Sequence, residues 1–299
     1  MIAALLGHRG LIGNAVDQAL QADRWQVRQI GRGPDTAYHL DLAAPVKPSP
    51  DLFSGCQLLV HCAGVTDEEM RHDRRRAFNR AVIGTEAMLR TAIAAGITQL
   101  VYISSAHVYG PLTGTLDERS PANPLSDYAL AHFLAEQLFR RTATAAGLSC
   151  LILRPCAVYG PLRSLQDFQR WDLIPFGFPA AAARDGRIVL KSSGLQTRNF
   201  VGTDIVAKAI VDWLRRPPSG TELINPIGAA DLSVLGLAER CAGIYQEITG
   251  MSCPIERPID LTEPEVPAFS YRSAKVPPHV GVTIDQHMRD LIIRIKNGN

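Results

Sequence analysis

Three side chains that can exchange protons lie in the middle of the chain. Ser105 ends the run Val101-Tyr-Ile-Ser-Ser, and Tyr128 and His132 follow a loop that contains proline and glycine. Because residues four apart share one face of a helix, Tyr128 and His132 are predicted to face the strand tip that carries Ser105. A hydroxyl, a phenol and a potential cation indicate proton transfer coupled to redox chemistry at a carbon–oxygen bond.

The element that would bring a redox cofactor to these residues lies at the start of the chain. Residues 2–6 form an apolar run, and Gly7-x-x-Gly10-x-x-Gly13 leads from it into an amphipathic helix. Glycines at such a turn let backbone N–H groups approach a pyrophosphate, and the helix N-terminus adds partial positive charge. This context predicts a dinucleotide site.

The end of the second strand bears on which dinucleotide is bound. The strand over 25–30 runs into Gly31-Arg32-Gly33, without the carboxylate that would accept hydrogen bonds from a ribose 2′-hydroxyl. Arg32 can instead bind a 2′-phosphate, which favours NADP. The alternative is a solvated turn arginine in a chain that binds NAD. Asp41 and Leu42 end the next segment, where they are expected to meet the adenine.

A third apolar run, residues 58–64, ends in small side chains that would let a cofactor lie close. The basic run 71–76 predicts the exposed start of a helix, and contact with a phosphate or a second subunit is the alternative. That helix is expected to continue through Ala95 and to end at Gly96 as its C-terminal cap.

The composition excludes several other classes of protein. There are 31 basic and 29 acidic residues, so the net charge of +2 gives no field that would attract nucleic acid or an anionic membrane. The six cysteines have no metal-binding or disulfide spacing, and no metal site is expected. No segment approaches the ~18 apolar residues of a membrane span, and the N-terminus lacks the features of a signal peptide. A cytoplasmic location is therefore expected.

Taken in order, these motifs resemble the extended short-chain dehydrogenase/reductases, specifically their nucleotide-sugar epimerase/dehydratase branch. The resemblance runs over residues 1–226. It is carried by Gly7-x-x-Gly10-x-x-Gly13, Asp41-Leu42, His61-Cys-Ala-Gly64, Asn79, Ser104-Ser105-x-x-Val108-Tyr109-Gly110, Tyr128 and Arg154-Pro155-x-x-Val158-Tyr159-Gly160-Pro161.

The resemblance implies an α/β fold, a Rossmann-type doubly wound parallel sheet with a smaller C-terminal α/β substrate lobe. The NAD(P)-binding core would comprise residues 1–160, with 199–226 returning to it. The substrate lobe would comprise 161–198 and 227–299. By analogy alone, a homodimer is expected through helices near 68–95 and 127–146.

The resemblance also implies roles for single residues. Ser105 would hydrogen-bond the sugar oxygen, and Tyr128 would exchange a proton as hydride moves between a sugar carbon and the nicotinamide. Arg198 would reach the diphosphate of a nucleotide-sugar substrate, and His107 would shape the sugar pocket. The implied cofactor-binding residues are Gly7, Gly10, Leu11, Ile12, Gly13, Arg32, Asp41, Leu42, Cys62, Ala63, Gly64, Asn79, Tyr128, His132 and Pro155.

One departure from the family affects the chemistry directly. The family pairs its tyrosine with a lysine four residues on, where this chain has His132. Lysine is a permanent cation, whereas histidine titrates at about 6.5. Three hypotheses follow. His132 still binds the nicotinamide ribose while the oxidised ring activates Tyr128; or Tyr128 serves mainly as a proton donor for reduction; or the chain only binds ligand.

A second departure narrows the reaction. Dehydratases of the family carry an Asp-Glu pair after the catalytic hydroxyl, and here those positions are Ala106 and His107. The elimination would lack its acid and base, which favours an epimerase or a 4-keto-sugar reductase over a dehydratase. A non-catalytic NAD(P)-binding regulator is the alternative from another class.

Two expectations concern the later chain. Residues 188–201 predict paired short strands about a glycine turn, followed by a capped helix from Thr203. Residues 262–282 have little periodicity and predict either a flap over the sugar or a surface excursion.

Overall fold

The computed structural model describes residues 1–33, 36–44, 47–216, 220–229, 231–258, 267–277 and 281–298. Its strands are β1 (Ile2–Leu6), β2 (Gln26–Gly31), β3 (Tyr38–His39), β4 (Leu58–His61), β5 (Gln99–Ile103), β6 (Gly114–Leu116), β7 (Ser149–Leu153), β8 (Ala157–Tyr159), β9 (Ile188–Val189), β10 (Thr197–Gly202), β11 (Thr221–Ile224), β12 (Asp231–Ser233), β13 (Ile255–Glu256) and β14 (Phe269–Tyr271). Its α-helices are α1 (Leu11–Ala22), α2 (Asp67–His72), α3 (Arg74–Phe78), α4 (Thr85–Ala94), α5 (Asp127–Ala146), α6 (Ile174–Asp185), α7 (Thr203–Leu214), α8 (Val234–Thr249) and α9 (Ile284–Lys296).

Seven parallel strands form the large sheet, in the order β11-β7-β5-β4-β1-β2-β3. The central strands are buried on both faces, as expected of apolar runs without polar alternation. The strand order reverses between β1 and β4, and a crevice for ligands opens at the carboxyl ends of strands at such a point. The predicted fold class, a Rossmann-type doubly wound parallel sheet, is confirmed.

Helices cover both faces of this sheet. α1 and α7 lie on one face, over a core that includes Val16 and Ile210. α4 and α5 lie on the other face, over a core that includes Met88 and Phe139. Helix α5 has the bounds that the sequence predicts, and its N-cap is Ser126, whose hydroxyl accepts from a backbone N–H in the first turn.

Among the described residues, the C-terminal lobe is built from short strands and the helices α6, α8 and α9. β8, β10 and β12 form one small sheet, β9 pairs with β13, and β6 pairs with β14. α6, α8 and α9 share a second apolar core around Phe176, Leu237 and Met288. Within the described ranges, no helix has both the length and the apolar character to cross a membrane.

Three sequence predictions need correction or restriction. The strands about Gly194 do not pair with each other, because β9 joins β13 whereas β10 joins β8 and β12. The helix expected over 68–95 is divided into α2, α3, a π-helical segment Asn79–Gly84 and α4. Asp73 ends α2 and caps α3 with its own side chain, which interrupts the helix. The predicted flap at 262–282 lies partly outside the described residues.

Candidate active site

A cavity of about 1020 Å³ lies at the carboxyl edge of the large sheet, where the strand order reverses. Its walls are the glycine turn, the ends of β2, β4 and β5, the start of α5 and residues of the C-terminal lobe. The structure brings most of the predicted site residues to it. These are Gly7, Gly10, Leu11, Ile12, Gly13, Arg32, Leu42, Cys62, Ala63, Gly64, Ser105, His107, Tyr128, His132, Pro155 and Arg198.

The glycine turn is packed so tightly that two of its positions exclude a side chain. Gly7 has a φ of +83°, and a Cβ there would lie 2.9 Å from the backbone nitrogen of Ala63. A Cβ at Gly13 would lie 2.0 Å from the carbonyl oxygen of Gly7. The start of α1 and the end of β4 therefore meet at the turn, and the backbone itself faces the cavity. This arrangement suits a pyrophosphate.

The far end of the cavity, next to β2, is basic. The guanidinium of Arg9 lies against Gly33, since a Cβ there would be 2.7 Å from Arg9 Nη1. Arg32 is about half exposed and lies 3.5 Å from a Glu69 carboxylate oxygen. Arg9 was not predicted from the sequence, because the direction of a side chain within the turn has no periodic signal. This end of the cavity therefore holds two arginines.

The opposite end of the cavity holds the predicted reacting groups. The Ser105 hydroxyl accepts a hydrogen bond of 3.2 Å from the His107 N–H. The ring centroids of Tyr128 and His132 are 4.6 Å apart, and those of Tyr128 and His107 are 6.0 Å apart. Burial raises the pKa of Tyr128, and a side-chain hydrogen bond with Ser105 acts against this. The phenol is therefore protonated at neutral pH and can act as a proton donor.

His132 is not the partly charged group that its ordinary pKa suggests. It is only 4% exposed, and its Nδ1 lies 2.8 Å from the Tyr102 hydroxyl. Burial lowers the pKa of His132 to about 4, and the backbone of Val65 opposes this only in part. The imidazole is therefore neutral at pH 7. The expectation that it charges part of the time near neutrality is wrong, because the sequence does not show how deeply the ring is buried.

A buried ion pair lies directly behind the strand tip and was not predicted from the sequence. Arg154 donates to both carboxylate oxygens of Glu136, over 2.8 and 2.6 Å, and the Ser104 hydroxyl donates to the same carboxylate. All three side chains are buried. The pair ties the end of β5 to α5 and to the end of β7, and so holds the two elements that carry Ser105 and Tyr128.

Two predicted cofactor residues do not line the cavity. Asp41 is ion-paired to Arg76 at 3.0 Å, and Asn79 is exposed at the start of the π-helical segment. The neighbour of Asn79, Arg80, does line the cavity. It is buried, ion-paired to Glu69 and bonded to the carbonyl of Ala63 over 3.0 Å. The sequence does not indicate the π-helical turn, which determines that Arg80 rather than Asn79 faces the cavity.

Buried polar atoms without partners occur at both ends of the cavity. Among the described residues, buried side-chain atoms without a hydrogen bond include His8 Nδ1, Thr36 Oγ1 and His132 Nε2. All three residues line the cavity. Because buried polar groups are normally paired, these atoms indicate that a polar ligand belongs there. Within the described ranges there is no group of His, Cys, Asp or Glu side chains that could hold a metal ion.

A glycine turn at the switch point of a doubly wound sheet, with a serine and a tyrosine at the other end of the same cavity, is the arrangement of a dinucleotide-binding protein of the Rossmann type. Comparisons with known proteins agree. The sequence model of the NAD dependent epimerase/dehydratase family matches residues 3–225. The chain belongs to this family, the extended short-chain dehydrogenase/reductase type that its motifs predict.

Individual relatives are more distant. The dTDP-D-glucose 4,6-dehydratase of Bos taurus is 27% identical over 208 residues, which cover 69% of this chain and 56% of the relative. The chain thus spans little more than half the length of that protein. Two solved structures share its fold. MoeE5 in complex with UDP-glucuronic acid and NAD has a TM-score of 0.80 at 21% identity, covering 100% of this chain and 99% of that one. RMD from Pseudomonas aeruginosa, complexed with NADPH, has a TM-score of 0.77 at 20% identity, with the same coverage.

Proposed function

We propose that this chain is an NAD(P)H-dependent reductase of a keto group on a nucleotide-linked sugar. The observation that carries the proposal is a protonated phenol, Tyr128, beside a serine hydroxyl and a neutral histidine. Reduction of a ketone needs a proton donor at the oxygen, and oxidation of an alcohol needs a base there. Without a permanent cation, Tyr128 is a better donor than base in the absence of cofactor.

The roles of the side chains follow from their places. The Ser105 hydroxyl donates a hydrogen bond to the keto oxygen of the sugar, and Tyr128 delivers the proton to it. The chemistry that the dinucleotide supplies when bound is hydride transfer at the sugar carbon. The turn from Gly7 to Gly13 would hold the pyrophosphate, and His132 would meet the nicotinamide ribose.

Features of the basic end support NADPH over NADH. Arg9 and Arg32 approach the end of β2, and the Thr36 hydroxyl and His8 Nδ1 beside them have no partner among the described residues. Two guanidinium groups and an unpaired hydroxyl suit the 2′-phosphate that distinguishes NADPH. Glu69 near Arg32 works against this preference, because its carboxylate would repel the phosphate.

The end of the cavity next to the C-terminal lobe suits the diphosphate group of a nucleotide-linked substrate. Arg198 and Arg170 line this end. The cation of Arg198 adds to the lowering of the pKa of His107, which burial causes in the main and Asp67 opposes. Arg170 likewise acts on the pKa of Tyr128, after burial, Ser105 and Asp67. The two arginines are therefore close enough to the reacting end to bind a diphosphate while the sugar meets Tyr128.

Epimerisation is the second candidate, and the family to which the chain belongs favours it. An epimerase must first oxidise the sugar, and the positive charge of an oxidised nicotinamide would lower the pKa of Tyr128 for that step. Dehydration is disfavoured, because Ala106 and His107 replace the acid pair after the serine. The acidic side chain that acts most strongly on Tyr128 is Asp67, which lies exposed at the start of α2.

We also propose that the chain forms a homodimer through α4, α5 and the segment between α3 and α4. Ile83 and Leu130 on these elements are large apolar residues that are 66% and 36% exposed. Light scattering of the intact protein is expected to give twice the mass of the chain. The double variant Ile83→Arg, Leu130→Arg is expected to be monomeric, and a dimer that survives both changes would contradict this surface.

One experiment separates the candidate reactions. The protein is incubated with NADH or NADPH, and separately with NAD or NADP, and with UDP-, GDP-, dTDP- and CDP-sugars that include 4-keto forms. Mass spectrometry and NMR then identify the products. A product with two added hydrogens, formed faster with NADPH, supports the reductase. An isobaric product indicates an epimerase, loss of water a dehydratase, and no product a non-catalytic binder; each of these contradicts the reductase.

A further inference from the structure

Tyr102 and His132 form a buried pair behind the reacting end of the cavity. Tyr102 lies on β5 and is 2% exposed, and its hydroxyl is 2.8 Å from His132 Nδ1. Among the residues that the structure describes, His132 is the only hydrogen-bond partner of this hydroxyl. The question is which of the two groups donates, because the answer decides what the other ring nitrogen of His132 can do.

Only one direction satisfies both groups. Burial raises the pKa of Tyr102 well above its ordinary value, and Glu136 adds to this, so the phenol keeps its proton. If His132 carried its proton on Nδ1, the buried phenolic proton would have no acceptor, which costs the full desolvation of that group. The phenol therefore donates to Nδ1. In the neutral imidazole the ring proton then lies on Nε2.

The Nε2 atom lies on the cavity side of the ring. A Cβ at Gly64 would lie 3.4 Å from Nε2, and both residues line the cavity. Nε2 is buried and makes no hydrogen bond of standard length and angle with the described residues, although a weaker hydrogen bond of the ring with the Val65 backbone raises the pKa of His132. A proton on Nε2 therefore has no acceptor of standard geometry in the described part of the protein, and it lies in the part of the cavity where Tyr128 also lies.

We propose that Tyr102 is a positioning residue that holds His132 as the neutral Nε2–H tautomer, so that His132 donates a hydrogen bond to a hydroxyl oxygen of the bound dinucleotide. The proposal rests on the proposed function, in that a dinucleotide occupies this cavity. The proposal explains how a neutral histidine can replace the family's lysine four residues after Tyr128. The imidazole supplies a fixed donor, although it supplies no charge.

Tyr102→Phe tests this directly, because the ring stays supported. The Tyr102 ring stacks on Phe139 with centroids 5.0 Å apart and lies 5.5 Å from the ring of His61. Removal of the hydroxyl leaves these ring contacts in place and removes only the hydrogen bond that Tyr102 donates to His132 Nδ1. The matched control is Tyr271→Phe, which removes a hydroxyl of an equally buried tyrosine that donates to the Arg154 carbonyl instead.

The first measurement needs no ligand. Two-bond ¹H–¹⁵N spectra of protein with labelled histidine distinguish the tautomers, and the His132 signals are those missing from His132→Gln. We expect the Nε2–H pattern at pH 7 in the unmodified protein and in Tyr271→Phe, and a mixture of tautomers in Tyr102→Phe. An Nδ1–H pattern in the unmodified protein, or an unchanged pattern in Tyr102→Phe, would overturn the proposal.

The second measurement is a double-mutant cycle on the dissociation constants of NADPH and NADH. Tyr102→Phe is expected to weaken binding roughly three- to tenfold when residue 132 is histidine. It is expected to have no effect in the His132→Lys background, because an ammonium group donates without a fixed tautomer. An equal loss in both backgrounds would show a merely structural role and overturn the proposal. If neither dinucleotide binds, the proposed function fails, whereas the spectra still decide the tautomer.

Discussion

The reacting end of this cavity differs from the family's tyrosine–lysine pair by one side chain, and that side chain sets the protonation of its neighbour. A lysine beside a phenol favours the phenolate. His132 is neutral at pH 7, because burial lowers its pKa to about 4. Tyr128 is thus left with its own proton and with the serine hydroxyl. Under the proposed function, the substitution therefore suits Tyr128 to donate a proton during reduction.

The first prediction concerns Tyr128. In Tyr128→Phe the proton donor is lost while the ring remains, so turnover is expected to fall by about 10²- to 10⁴-fold. Dinucleotide affinity is expected to change little, because the phenol acts at the sugar oxygen. Steady-state rates and titration calorimetry measure the two quantities. The control is Tyr245→Phe, a buried tyrosine in the C-terminal lobe that does not line the cavity. Full activity of Tyr128→Phe would exclude the assigned role.

The second prediction concerns charge at position 132. In His132→Lys an ammonium group next to Tyr128 lowers the pKa of the phenol, because it stabilises the phenolate. The rate of reduction needs the protonated phenol, so its decline at high pH is expected to begin at a lower pH than in the unmodified protein. Rates between pH 6 and 10.5 test this.

One other charged group and two other titratable groups also face position 132, and they are the same in both proteins. Arg80 lies on the π-helical segment, His107 follows β5, and His61 ends β4. His132→Gln, which removes the imidazole without adding a charge, is the control and should keep the original decline. If the profile of His132→Lys coincides with that of the unmodified protein, residue 132 does not influence the protonation of Tyr128.

At the scale of elements, the sequence predicts what depends on local pattern. The apolar runs of β1, β4 and β5, the glycine turn and the helical face that carries Tyr128 and His132 all follow from local sequence pattern. Prediction from the sequence fails where residues distant in the chain determine strand pairing or burial. β9 and β10 look like a hairpin, yet each pairs with a strand remote in sequence. Glu136 is a helix residue that is fully buried, because Arg154 reaches it from the end of β7.

The third prediction concerns this buried ion pair. Glu136→Gln leaves Arg154 as an unpaired buried charge, so the free energy of unfolding is expected to fall by about 3–5 kcal/mol. Urea unfolding at pH 7.5 measures it. The matched control is Glu86→Gln, which breaks the exposed pair with Arg90 on α4 and should change stability little. Equal stability of the two variants would mean that the Glu136 pair does not hold β5, α5 and β7 together.

At the scale of the whole molecule, the cavity lies where the large sheet meets the C-terminal lobe. Its sheet side was largely predictable, because the glycine turn and the Ser105–Tyr128 pair sit at the ends of recognisable strands and helices. Its remaining polar groups were not predictable. Arg9, Arg80 and Thr36 reach it through the turn, the π-helical segment and the loop before β3, whose side-chain directions have no periodic signal. These side chains can therefore be assigned to the cavity only from the three-dimensional structure.

The fourth prediction concerns the stability of the whole protein in mild acid. Burial lowers the pKa of five histidines, which are spread over both lobes: His8, His61, His107, His132 and His287. The pKa falls to about 3 for His61 and to about 4 for His132 and His287. Unfolded histidine titrates near 6.5, so below that pH the unfolded chain binds more protons and the free energy of unfolding decreases. At pH 5 His132 and His287 should each account for a loss of roughly 1–2 kcal/mol. Urea unfolding between pH 7.5 and 5 measures the slope. His287→Gln should reduce that slope by up to one proton. A free energy of unfolding that stays constant over this range would contradict the buried neutral histidines.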